Sequence, residues 1–133
     1  MKAKITMVIS LVMTLFVLFS TFCFGESVAN VSSEKMTYID NYSGDINQGV
    51  FSTTVQADID GKTSVTSVKI KMELQKLSGG DYSTVETWEQ TFSGRNGSME
   101  ESKVTSPLNT YRLKATVTAY SGSNSESKTF YAY

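Results

Sequence analysis

Apolar and polar residues alternate with a period of two along three stretches of this chain. The most regular is 111–120, where Tyr111, Leu113, Ala115, Val117 and Ala119 are apolar or aromatic and the intervening residues are polar. Stretch 51–59 places Phe51, Thr53, Val55, Ala57 and Ile59 on one face, and stretch 65–77 places Val68, Ile70, Met72 and Leu74 on one face. Because successive side chains of a strand point to opposite faces, each stretch predicts a half-buried β-strand.

Three shorter segments carry weaker strand signals. Segment 35–40 is predicted to be an edge strand anchored by Met36, Tyr38 or Ile39, followed by a turn at 41–45. In segment 82–92, Trp88 and Phe92 share a face but Val85 does not, which predicts a β-bulge or an edge position. Segment 98–105 predicts a strand holding Met99 and Val104.

Turn-forming residues separate these segments and set the fold class. Asp60-Gly61 is a hairpin signal, and runs of Gly, Ser, Asn and Asp occupy 78–81, 93–97 and 121–124. The chain resumes as a last strand at 125–133, which forms a hairpin with 111–120. About seven short alternating strands with no helical segment after the N-terminal leader predict an all-β, antiparallel β-sandwich over residues 35–133.

The N-terminus has the pattern of a secretory signal peptide over residues 1–25. A basic start, Met-Lys-Ala-Lys, precedes a run from Ile5 to Gly25 that contains no charged residue. Cleavage is predicted after Gly25, with Ala29 as a second candidate, and residues 26–34 then form a flexible tail. A retained membrane anchor is the alternative, because the run is long enough to span a bilayer. The protein is therefore expected to be secreted, or held at the cell surface if the leader is retained.

The penultimate strand resembles a known fold family. The run from Pro107 to Ala119, with Gly122 after it, is similar to the corresponding strand of fibronectin type III and related immunoglobulin-like domains. In those folds a tyrosine at the corner entering this strand bonds back to the upstream backbone, and Tyr111 matches its position. With its leader, Leu74-Gln75-Lys76, Trp88 and Tyr111-Arg112, the chain also resembles a family of small exported proteins of Gram-positive bacteria whose function is unassigned. It lacks the immunoglobulin cysteine pair, and Trp88 follows the third strand instead of lying within it.

Composition excludes several chemistries. The chain has no histidine, and its single cysteine, Cys23, lies in the leader, so the mature protein can form no disulfide and lacks the commonest general base. Loss of the two leader lysines leaves ten basic and thirteen acidic side chains, a net charge of −3. This balance argues against nucleic acid, and against a membrane once the leader is removed, as partners. No cofactor or metal is expected, since Asp58 and Asp60 fit a hairpin turn better than a calcium loop.

An aromatic stripe near the C-terminus is the candidate ligand surface. If Phe130 faces the core, Tyr131 and Tyr133 face outward beside Tyr120, with Arg112 and Lys114 on the neighbouring strand. A one-residue change of register would instead bury the tyrosines. The stripe, together with Trp88, fits either a ligand surface or ordinary cross-strand packing.

Three functions remain open at this point. The first is a non-enzymatic interaction module with an unknown protein partner, and the second is a carbohydrate-binding protein that uses exposed Trp and Tyr. The third is a secreted hydrolase or toxin, for which two carboxylates of a glycosidase would come from Glu86, Glu89, Glu100 and Glu101.

Overall fold

A computed structural model describes residues 29–30 and 35–133 of the chain. The predicted leader, 1–25, and most of the predicted tail, 26–34, lie outside the described residues. Within the described part the protein is all-β. No helix there is long and apolar enough to cross a membrane.

Eight strands are present in the described residues when a two-residue strand at the N-terminus is counted. They are β1 (Ala29–Asn30), β2 (Ile39–Gln48), β3 (Ser52–Gly61), β4 (Ser67–Ser78), β5 (Asp81–Ser93), β6 (Asn96–Val104), β7 (Tyr111–Ser121) and β8 (Asn124–Ala132). The seven longer strands match the predicted number.

The strands form two antiparallel sheets that pack face to face. One sheet has the order β1-β2-β3-β6 and the other has the order β5-β4-β7-β8. The chain changes sheet three times, between β3 and β4, between β5 and β6, and between β6 and β7. The predicted antiparallel sandwich is therefore confirmed at the level of its architecture.

The core lies between the sheets and is built from the three alternating stretches. Val55, Ala57 and Ile59 of β3 are buried, as are the predicted inward residues of β4 and β7. The inward residues of β4 are Val68, Ile70, Met72 and Leu74, and those of β7 are Tyr111, Leu113, Ala115, Val117 and Ala119. The period-two pattern thus identified both the strands and their buried faces.

The bulge predicted in β5 is also present. The pairing of β4 with β5 shifts between Leu74 and Gln75, which pair with Glu86 and Thr84, so that Val85 is the extra residue. Val85 is exposed, while Trp88 and Phe92 pack against the core. β5 lies at the edge of its sheet, so both features that the mixed pattern suggested occur together.

The predicted turn at 41–45 is wrong, because β2 runs through it. Tyr42 is buried, and Gly44 lies beneath the ring of Phe130, which contacts the Tyr42 ring in a tilted arrangement with centroids 4.9 Å apart. A Cβ atom built on Gly44 would lie 2.5 Å from Phe130 Cε2. Gly44 is therefore present for a close approach between the sheets and not for a turn.

Three further details of the prediction are corrected. Phe51 and Val104 are exposed, because the turn at 49–51 and the end of β6 project beyond the core. Asp60-Gly61 does not make a hairpin, since the chain after Gly61 crosses to the other sheet. The Tyr111 hydroxyl accepts a hydrogen bond from Asn109 Nδ2 at 3.5 Å, a side-chain partner in place of the expected backbone.

The Glu126 carboxylate of β8 holds the chain that enters β2. Its oxygens accept hydrogen bonds from the backbone N–H groups of Thr37, Tyr38 and Ile39 at 2.9, 2.7 and 2.9 Å. Burial alone would raise the pKa of this carboxyl. The three N–H groups and nearby Lys62 outweigh burial and lower it.

Candidate ligand-binding surface

Four side chains meet on the outer face of the β5-β4-β7-β8 sheet, at the end where β7 begins and β8 ends. They are Tyr82, Arg112, Tyr131 and Tyr133, and we refer to them as the arginine–tyrosine cluster. Arg112 points outward because its neighbours Tyr111 and Leu113 are buried, and Tyr131 and Tyr133 point outward because they flank buried Ala132. The alternation that builds the core thus also builds the cluster.

The guanidinium group of Arg112 lies among three aromatic rings. Its Cζ atom is 3.9 Å from the ring centroid of Tyr82, 4.5 Å from that of Tyr131 and 6.0 Å from that of Tyr133. The rings of Tyr82 and Tyr133 contact each other edge to face, with centroids 6.4 Å apart. These distances are typical of cation–π contacts, which favour the guanidinium in this position.

Hydrogen bonds fix the orientation of the same guanidinium. Arg112 Nε donates to Gln75 Oε1 at 2.8 Å, and an Arg112 terminal nitrogen donates to the Tyr133 hydroxyl at 3.3 Å. Gln75 is buried, and its Nε2 donates to Thr84 Oγ1 at 3.2 Å, so its carbonyl oxygen is held toward Arg112. The guanidinium is therefore held in place before any ligand arrives.

Arg112 has no carboxylate partner among the described residues. The nearby acid, Glu73, accepts a hydrogen bond from Thr84 and pairs with Lys114 at 3.4 Å and with Lys71 at 4.0 Å. The positive charge of Arg112 is thus balanced by ring faces and by neutral oxygens. An uncompensated guanidinium on a sheet surface can accept a carboxylate in the bidentate geometry that Arg favours.

The structure brings together three of the six predicted surface residues: Arg112, Tyr131 and Tyr133. Lys114 is paired with Tyr131 across the strands but binds Glu73. Tyr120 is on the same face at the far end of β7, eight residues and roughly 27 Å from Arg112. Trp88 is opposite Met72 on the inner face, half-buried against the core.

The register of β8 is the one that the sequence favoured. Phe130 is buried, whereas Tyr131 and Tyr133 are 39% and 60% exposed. The preference for Phe130 as the inward residue is therefore confirmed.

Sequence reasoning missed Tyr82. A signal was available, because Gly79 and Gly80 both have positive φ and form a two-residue turn that pairs Leu77 with Tyr82. Counting back along β4 from this turn places Tyr82 on the outer face of the sheet.

None of the four candidate catalytic carboxylates has the environment that a glycosidase requires of its general acid. Glu101 is half-buried and lies opposite Val55 of β3. A hydrogen bond from Lys103, at 2.7 Å, and the charge of that lysine lower the pKa of Glu86, with a smaller contribution from the Thr87 N–H group. A general acid of a glycosidase requires a raised pKa instead. Glu89 pairs with Lys69, and Glu100 is exposed on the edge strand β6. Within the described residues no cluster of three or more His, Cys, Asp or Glu could hold a metal ion.

Comparison with family models, with curated proteins and with solved structures found no significant match.

Proposed function

We propose that the protein is an exported, non-enzymatic β-sandwich module that binds a carboxylate-bearing ligand through the arginine–tyrosine cluster. Export rests on the predicted leader, and a retained leader would keep the module at the cell surface. The observation that carries the binding proposal is the placement of Arg112, whose charge is held rigidly at the surface without a carboxylate partner among the described residues.

The strand order supports an immunoglobulin-like or fibronectin type III-like assignment. The first, second and fifth of the seven long strands share one sheet, and the third, sixth and seventh share the other, as in the immunoglobulin fold. The fourth strand, β5, lies beside the third, whereas constant-type immunoglobulin domains place the fourth strand in the opposite sheet. The resemblance is thus to the broader class of such sandwiches.

The geometry favours an anionic ligand over a neutral sugar. A protein that stacks a sugar ring uses an aromatic face open to solvent, and Arg112 already occupies one face of Tyr82 and one face of Tyr131. The rings therefore position the guanidinium and form the sides of the site. The same chemistry would accept an acidic side chain or terminal carboxylate of a protein partner, or the carboxylate of an acidic sugar.

The proposal is tested by titrating the isotope-labelled mature protein and following the Arg112 Nε–H and tyrosine ring signals by NMR. The ligands are an acidic peptide, a glucuronate-containing oligosaccharide and its neutral glucose counterpart. We expect shifts at Arg112 with at least one carboxylate ligand and none with the neutral sugar. The peptide and the acidic sugar separate the two sources of the carboxylate.

Matched variants locate the site. Arg112→Gln removes a charge-assisted pair worth about 1.5–3 kcal/mol, so affinity should fall roughly 10- to 100-fold. Lys69→Gln removes a cation of the same sheet that is paired with Glu89, and affinity should be unchanged. Equal losses in the two variants would mean that only the overall charge matters, and stronger binding of the neutral sugar would favour the carbohydrate-binding alternative.

A further inference from the structure

Two of the three loops at one end of the sandwich carry large exposed apolar side chains, whereas the loops at the other end carry none. At one end, the turn between β2 and β3 and the connection between β6 and β7 expose Val50, Phe51, Val104 and Leu108, at 62%, 77%, 84% and 93% of their surfaces. We refer to these four residues as the apolar tip. At the opposite end the exposed residues of the turns include Thr63, Ser64, Arg95 and Ser123, all of them polar. Large exposed apolar side chains grouped in this way mark a contact surface.

The two loops of the apolar tip are tied to each other. Thr105 N donates to Phe51 O at 3.0 Å, and Gln48 Nε2 donates to Asn109 O at 2.6 Å. Val50 and Pro107 line a shared shallow cleft between them. The apolar side chains are therefore displayed on a preformed support.

The direction of the chain places the predicted leader on the side of this end. β1 runs antiparallel to β2, so the chain enters Ala29 from the side of the turn at 49–51. The uncharged run 5–25 ends four residues before Ala29, a length of chain that can reach at most about 14 Å. Because the run is long enough to span a bilayer, a leader inserted in the membrane would hold this end of the sandwich near the bilayer.

The residues around the apolar tip also fit a membrane surface. Tyr131, Tyr133 and Arg112 lie at this end of the neighbouring sheet, and tyrosine and arginine are the residues that favour the headgroup region of a bilayer. The apolar tip itself consists of separate projecting side chains, which a fluid lipid surface accepts without a complementary shape.

We propose that the apolar tip inserts into the interface of a lipid bilayer and docks the sandwich on the membrane with β7 and β8 near the headgroups. This goes beyond the carboxylate-binding function and does not depend on it. It differs from the expectation drawn from net charge, because charge governs attraction to anionic lipids whereas the apolar tip acts through its hydrocarbon side chains.

The test is co-sedimentation of the processed protein with phosphatidylcholine vesicles, at low and high salt. We expect binding that salt does not weaken, and a loss of about tenfold in the partition coefficient for Phe51→Ser and again for Leu108→Ser. Val85→Ser removes an exposed apolar side chain outside the tip and should leave partitioning unchanged. Because all three residues are exposed, the variants should keep the thermal stability of the parent protein.

Several results would overturn the proposal. These are no sedimentation with vesicles, equal binding by the Phe51→Ser/Leu108→Ser double variant, and binding only to anionic phosphatidylglycerol vesicles that salt abolishes. Self-association without lipid that the double variant removes would assign the tip to a second copy of the chain. Arg112→Gln should retain binding to phosphatidylcholine. The experiment therefore distinguishes failure of the carboxylate-binding proposal from failure of the membrane-docking proposal.

Discussion

The Glu126 carboxylate offers the most direct test of how the two sheets are held together. Replacing it with alanine removes three hydrogen bonds that join β8 to the chain entering β2. Water can reach Thr37, which is exposed, but Tyr38 is half-buried and Ile39 is buried. Two shielded N–H groups would therefore lose their acceptor.

The structure sets the size of the effect. A buried donor left without a partner costs about 1–3 kcal/mol, with the half-buried Tyr38 N–H at the low end, so Glu126→Ala should lower the free energy of unfolding by about 2–4 kcal/mol. For a domain of about 100 residues this corresponds to a decrease in Tm of roughly 10–30 °C. Glu126→Gln keeps one acceptor oxygen but loses the charge, and it should fall between alanine and the parent protein.

The dependence on pH provides a second measurement of the same contact. The hydrogen bonds hold the pKa of Glu126 in the folded protein below its value in the unfolded chain, roughly 4.3. The carboxylate therefore contributes its full stabilisation above that pH, and the contribution is lost as the pH falls through the lowered pKa. Glu126→Gln should remove this part of the acid dependence.

Chemical denaturation between pH 3 and pH 7 measures both effects. Glu100→Gln is the matched control, because Glu100 is exposed on β6 and should change stability by less than about 0.5 kcal/mol. If Glu126→Ala were as stable as the Glu100 variant at pH 7, the three hydrogen bonds would not hold the start of β2, and the reasoning would fail.

Other predictions concern packing and the site. Gly44→Ala should cost about 1–3 kcal/mol in a denaturation experiment, because its Cβ would meet the Phe130 ring, and Phe130→Leu should recover part of the loss. Leu113→Ala should lower the free energy of unfolding by about 2–5 kcal/mol, because Leu113 is fully buried. Phe51→Ala should lower it by less than about 0.5 kcal/mol, which checks that Phe51 lies outside the core, before the start of β3. Tyr82→Ala should weaken carboxylate binding, because it removes the ring nearest to Arg112 and so frees the guanidinium to move. The same NMR titration measures the loss.

The strands that the sequence predicted best are those with a long strand on each side in their sheet. β3, β4 and β7 each lie between two other strands and bury one face completely, so their pattern is strict. β2 was misread because Gly44, which makes room for Phe130, looks the same in sequence as a turn glycine. Only the contacts between the two sheets distinguish these two roles of a glycine, and a local sequence pattern does not contain those contacts.

The residues of the candidate site also differ in whether the sequence could predict them. Arg112, Tyr131 and Tyr133 were accessible to prediction because they are on adjacent strands of one hairpin, whose register follows from the turn at Gly122. Tyr82 belongs to another hairpin and reaches Arg112 only because β4 lies between β5 and β7. The strand order of the sheet, which local patterns do not contain, was the missing information.

The arginine–tyrosine cluster and the apolar tip lie at the same end of the molecule, and this arrangement constrains how both can act. A sandwich docked through Phe51 and Leu108 would hold Arg112 near the headgroups, where the local concentration of membrane-bound partners is high. Weak binding of a carboxylate would then suffice, because two contacts to one surface add their effects through effective concentration. The combined affinity of the protein for vesicles that display a carboxylate ligand should therefore exceed either affinity alone. Both Arg112→Gln and the Phe51→Ser/Leu108→Ser double variant should reduce it to the level of the remaining contact.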